Sequence, residues 1–150
     1  MKKLGFNLGV LILALLTFSS CKKEVQSNGR FIDSSDSSSE IHGKWNLIRL
    51  YGGIMGVNET HASGEIEWTF NPLDSTLTVN NTVGSSSYYF LPSGIYGYHQ
   101  LSDSLQQNYL IIDGTELGQF VISDGQMFID DNKKSTGEGA CGFYLILERD

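Results

Sequence analysis

Three observations predict an all-β fold for this chain of 150 residues. Past residue 40 it is a succession of short runs rich in β-branched, aromatic and aliphatic residues, punctuated by Gly, Asn, Asp and Ser, the pattern of half-buried strands joined by turns. Glycine numbers 17 and proline only 2, so turns are plentiful and little interrupts a hydrogen-bonded ladder. Beyond the first twenty residues, no window of about eleven or more carries a helical apolar stripe, and the expected helical content is one turn near residues 52–56. Eight or nine antiparallel strands in about 110 residues either close into a barrel or stack as a sandwich, and closure removes both edges.

The first run is WNLIRLY, residues 45–51. Residues 65–70 alternate most cleanly: Ile66, Trp68 and Phe70 share one face, Glu65, Glu67 and Thr69 the other. NPLDS, residues 71–75, is a turn, and residues 76–80 return with Leu77 and Val79 inward. Residues 88–91, 95–99 and 109–112 supply three further runs. Residues 117–123 and 126–130 flank Asp124-Gly125, the strongest short-range hairpin signal in the chain. The last run, residues 142–149, sets Phe143, Leu145 and Leu147 against Tyr144, Ile146 and Glu148.

Residues 1–20 read as an export leader: Lys2 and Lys3, an apolar stretch from Leu8 to Leu16, then the small residues Ser19 and Ser20. Cys21 follows at once, and Phe18-Ser19-Ser20-Cys21 resembles a bacterial lipobox. That resemblance implies cleavage before Cys21, a diacylglyceryl group on its thiol and an N-terminal acyl chain such as palmitate. More than one buried chain makes membrane attachment stable. Residues 21–39 form a Ser/Asp-rich flexible tether without apolar periodicity, and residues 40–150 form the barrel domain. With Cys21 acylated, Cys141 has no intramolecular partner and is expected as a small buried hydrophobe. Lys22 and Lys23 stand where an acidic surface-export signal would begin, which favours a periplasm-facing anchor.

Gly43-Lys44-Trp45 resembles the Gly-x-Trp opening of lipocalins, and FYLILER ends in Arg149, where the last lipocalin strand often carries an arginine over that tryptophan. Together with GKWNLIRL, EIEWTFN, TLTVNN and the Asp-Gly hairpin, the stretch from Gly43 to Arg149 resembles the lipocalin-like lipoproteins of Bacteroidetes. The resemblance implies a small lipocalin-like barrel rather than a sandwich. It makes Trp45 and Arg149 a barrel-floor pair, a cation over an indole face worth about 1 kcal/mol.

The formal net charge of −7 falls to −9 once Lys2 and Lys3 leave with the leader. An acidic product without a basic cluster argues against nucleic acid as a partner. His42, His61 and His99 have no metal-ligand spacing and are expected at the surface. The Asp130-Asp131-Asn132 stretch lacks the alternating oxygen ligands of a calcium loop. Glu65 and Glu67 are explained as the solvent side of a strand, and there is no Gly-x-Ser-x-Gly elbow. The glycine-rich residues 133–142 lack the Lys-Ser/Thr end of a phosphate loop, and their glycines read as permitting φ > 0 or a mobile rim. No catalytic residue, metal or cofactor is therefore expected.

Aromatic residues supply the functional lead. Tyr88, Tyr89, Phe90, Tyr96 and Tyr98 gather around residues 91–94, and alternation puts Tyr96 and Tyr98 on one face. Trp68, Phe70, Tyr89, Tyr96 and Tyr98 are the candidate ligand-binding set. The expected function is a non-catalytic, lipid-anchored cell-envelope module for a small apolar or amphipathic ligand. The alternative is a structural or protein-interaction lipoprotein whose barrel is fully packed. The expected partners are the membrane, through the covalent lipid, a small apolar ligand and an envelope protein.

Overall fold

The computed structural model describes residues 41–84 and 91–150. Eleven strands follow in chain order: β1 (Gly43–Gly52), β2 (Val57–Thr60), β3 (Ile66–Asn71), β4 (Thr76–Asn81), β5 (Gly94–Ser102), β6 (Asn108–Ile112), β7 (Thr115–Ser123), β8 (Gln126–Asp130), β9 (Lys133–Lys134), β10 (Gly137–Glu138) and β11 (Phe143–Arg149). All pairings are antiparallel. The order β1-β3-β4-β5-β6-β7-β8-β11 is closed by β11 on β1, giving an eight-stranded barrel with β2 as an extra strand. This is the lipocalin-like architecture expected of the sequence, and closure rather than sandwich stacking removes the exposed edges.

β1 is the strand that makes closure work. One edge pairs with β11 along its length, from Trp45 opposite Arg149 to Gly52 opposite Phe143. Its other edge is shared, with residues 43–46 on β3 and residues 49–52 on β2. Between those partners the chain detours through residues 61–65, held by His61 N donating to the Ile48 carbonyl at 2.9 Å and Gly64 N donating to Asn46 Oδ1 at 2.9 Å. That bond explains why a polar side chain, Asn46, is buried here. A bulge at Ile48 shifts the register, so Leu47 and Leu50 both face the core although they stand three positions apart.

Sequence periodicity misses β2 because Val57-Asn58-Glu59-Thr60 offers only Val57 to the core. The strand exists because the far half of β1 leaves backbone groups to be paired. The helical turn expected near residues 52–56 is the tight turn of this β1–β2 hairpin, closed by Gly56 N on the Gly53 carbonyl at 3.1 Å. Of the expected run at residues 88–91, residues 88–90 lie outside the described residues and Leu91 belongs to no strand.

β5 turns the corner of the barrel. Residues 94–97 pair with β4 and residues 98–102 with β6. At the switch, Gly97 N donates to Asp113 Oδ1 at 2.7 Å while the Gly97 carbonyl accepts from Asp113 N at 2.8 Å. A second bulge, where Leu110 faces Gly118 and Ile111 faces Glu116, leaves Leu117 as the extra residue. Asp124 and Gly125 have φ of 53° and 77°, the two left-handed positions that a two-residue hairpin with right-handed twist requires.

The connection from β8 to β11 departs from expectation. Instead of a mobile rim it carries β9 and β10 and is pinned to β7: Lys134 Nζ donates to the carbonyls of Glu116 (2.9 Å) and Leu117 (3.1 Å) and pairs with Asp131. Ser135 donates through N and Oγ to the Glu116 carboxylate. Asn132 adds a further clamp, its Oδ1 accepting from Gly142 N. Cys141, expected to be buried, is exposed in this connection at φ 71°.

Candidate functional site

The two ends of β7 separate two different constructions. At the Asp124–Gly125 end, Arg149 N donates to the Gly125 carbonyl at 2.9 Å, and this end is the barrel floor. The Arg149 guanidinium carbon stands 4.4 Å from the Trp45 ring centroid, and Nη1 donates to the His42 carbonyl at 3.2 Å. Trp45 Nε1 donates to the Ile41 carbonyl at 2.7 Å inside the core. Trp45 and Arg149 meet because the first and last barrel strands pair, and Ile41 plugs the floor beneath them. Arg149→Ala is expected to cost about 1–2 kcal/mol, since it uncovers the indole as well as removing a cation. A denaturation midpoint unchanged within error would contradict that coupling.

Above the floor, aromatic side chains pack on one another. Trp68 and Phe70 are fully buried, with ring centroids 6.2 Å apart, and Tyr98 packs edge-on against Phe70 at 5.0 Å. Burial, followed by the charge of Asp74, pushes the Tyr98 phenol above its ordinary pKa and keeps it neutral. Trp68, Phe70 and Tyr98 are thus packed together as core. Trp68 Nε1 is buried with no hydrogen-bond acceptor among the described residues, a cost of about 1–3 kcal/mol unless water supplies one. Tyr89 lies outside the described residues.

At the Asp113–Gly114 end of β7 the packing stops. Leu91, Tyr96, Ile112, Asp113, Thr115 and Leu117 line an open, largely apolar recess of about 300 Å³. Its floor is continuous with the core: Ile112 belongs to the core, and Leu91, Tyr96 and Leu117 pack against it half-buried. The Tyr96 hydroxyl donates to the Pro92 carbonyl at 2.8 Å, which fixes the ring across the recess. Tyr96 and Tyr98 do share the inward face, yet only Tyr96 reaches this site. Leu91, Ile112, Asp113, Thr115 and Leu117 escape a sequence reading because they come from three separate segments. The bulge at Leu117 is the local feature that aims one of them inward. Residues 133–142 line none of it, because they lie against β7 instead.

Elsewhere, the outer face of β7, β8, β11 and β1 carries partly exposed Val121, Phe128 and Tyr144, with Tyr51 stacked on Tyr144 at 5.0 Å. The His61 side chain is not at the surface as expected but largely buried between Glu59 (3.9 Å) and Glu65 (3.7 Å), because the residue 61–65 detour folds it inward. Among the described residues no group of three or more His, Cys, Asp or Glu is placed to hold a metal ion. Asp130 is committed to Asn132, and Glu67 is paired with Lys44, which holds its carboxyl below the usual range. Compared with protein-family models, with curated proteins and with solved structures, the chain matches none.

Proposed function

We propose that this protein is a non-catalytic binding module that takes a small apolar or amphipathic ligand in the recess beside Tyr96. The observation that carries the reading is the recess itself, apolar-walled, backed by a rigid core and about 300 Å³ in volume, the lower end of the range of small-molecule sites. A six-carbon chain buried there would gain at most about 5 kcal/mol at ~0.8 kcal/mol per methylene. Ordering costs bring the expected Kd to about millimolar for so short a ligand. Tyr96 and Asp113 are the titratable groups among the described lining residues.

Titration with fatty alcohols and isoprenoids, followed by intrinsic fluorescence, tests the reading. Tyr96→Ala is expected to weaken saturable binding about tenfold while costing little stability. Tyr98→Ala should behave as a core truncation, losing about 3–5 kcal/mol of stability. Absence of saturable binding across the panel would overturn the proposal. A second reading, a protein-interaction module, is favoured by the burial of Trp68, Phe70 and Tyr98 together with the exposed apolar residues on the outer face.

We further propose that the module is held to the cell envelope, facing the periplasm, by lipid on Cys21, a residue outside the described ones. The leader, the lipobox-like stretch and the Ser/Asp-rich tether support this reading. Intact mass of membrane-extracted protein should show cleavage before Cys21 with added acyl chains, and Cys21→Ser should abolish both. A mature chain with an unmodified thiol at Cys21 would refute the anchor.

A further inference from the structure

From the charge around the recess, and resting on the binding reading above, we infer that its preferred ligand is a cation-headed amphiphile, not a fatty carboxylate. Among the described lining residues Asp113 is the one charged side chain. Its carboxylate is held in place at the lip, because Oδ1 accepts from Gly97 N at 2.7 Å and the Asp113 backbone N is tied to the Gly97 carbonyl at 2.8 Å. Asp113 sits at φ 47° in the β6–β7 turn, a position that Asp and Asn tolerate well.

Among the described residues no Lys or Arg is paired with that carboxylate. Lys134, on the connection packed against β7, is turned to the Glu116 and Leu117 carbonyls and paired with Asp131. Glu116 is occupied by Ser135. A carboxylate head would therefore meet a fixed like charge with no partner, whereas an ammonium head would meet an oriented acceptor while its tail lies against Leu91, Tyr96, Ile112 and Leu117. The acidic net charge of the chain, −7 as written, biases encounter in the same direction.

The test compares three six-carbon probes, hexyltrimethylammonium, 1-hexanol and hexanoate, against the full chain in phosphatidylcholine nanodiscs, with empty nanodiscs as blank. At low salt the ammonium should bind about fivefold more tightly than the alcohol, the size of one water-exposed ion pair, and hexanoate should bind most weakly. Raising the ionic strength should compress the order, because exposed charges are screened. Asp113→Asn retains the acceptor for Gly97 N and should bring the three affinities together. Hexanol binding with no preference for the ammonium, a preference unchanged by salt, or one that persists in Asp113→Asn, would overturn this inference and leave the binding reading standing. Failure of all three probes to bind would overturn both.

Discussion

Trp45→Ala is expected to lower the unfolding free energy by about 3–5 kcal/mol, the cost of deleting a fully buried large aromatic side chain. Three consequences act together. The core loses the volume of a side chain with no exposed surface. The Ile41 carbonyl loses the indole donor at 2.7 Å, leaving a buried acceptor unpaired. Arg149 loses the ring its guanidinium covers at 4.4 Å, and with it the contact that ties the last strand over the floor. Trp45→Phe should recover much of the packing and not the hydrogen bond, so it should fall between the parent and Trp45→Ala. Urea denaturation of the three proteins at equal m-values would measure the series. A loss below about 1 kcal/mol for Trp45→Ala would mean that the floor can collapse around the gap, and that Trp45 is not what seals it.

Gly118→Ala should be nearly as damaging for a different reason. Gly118 sits at φ +140°, and a Cβ there would lie 2.3 Å from the Asp130 carbonyl oxygen, 2.8 Å from its carbon and 2.9 Å from the Asp131 Cα. All three are backbone atoms, so no rotamer change relieves the clash and β8 must move off β7. The expected cost is about 3 kcal/mol or more. The control is Gly125→Ala in the β7–β8 turn, at φ +77° with nothing within 4 Å of its Cβ. That substitution meets only the left-handed penalty of about 1–2 kcal/mol. Equal losses for the two variants would show that φ alone matters and that the close approach of β7 to β8 does not.

The fold was readable wherever the code is local. Trp68 and Phe70, Met127 and Ile129, and Phe143 with Leu145 and Leu147 are buried at every second position, which a strand of period 2 dictates. Asp124-Gly125 set its own hairpin because few dipeptides suit two successive positive φ values. The local code gives out where one residue changes the phase. At Ile48 and Leu117 a bulge reverses the alternation, and neither residue carries a signal of its own. β2 was hidden because it was created by what β1 left unpaired, not by its own side chains.

The amino-acid sequence by itself determined strand content, which faces are apolar, the tightest turn and the identity of the aromatic residues at hand. Those properties follow from side-chain period and backbone preference over a few neighbours. Only the tertiary structure decided that the sheet closes through β1 and β11, that Tyr98 is core while Tyr96 reaches the surface, and that Leu91, Ile112, Asp113 and Leu117 share one recess. Shear between strands sets which distant residues become neighbours. It is fixed by the sum of all registers and both bulges around the closed sheet, a quantity that no single stretch of chain contains.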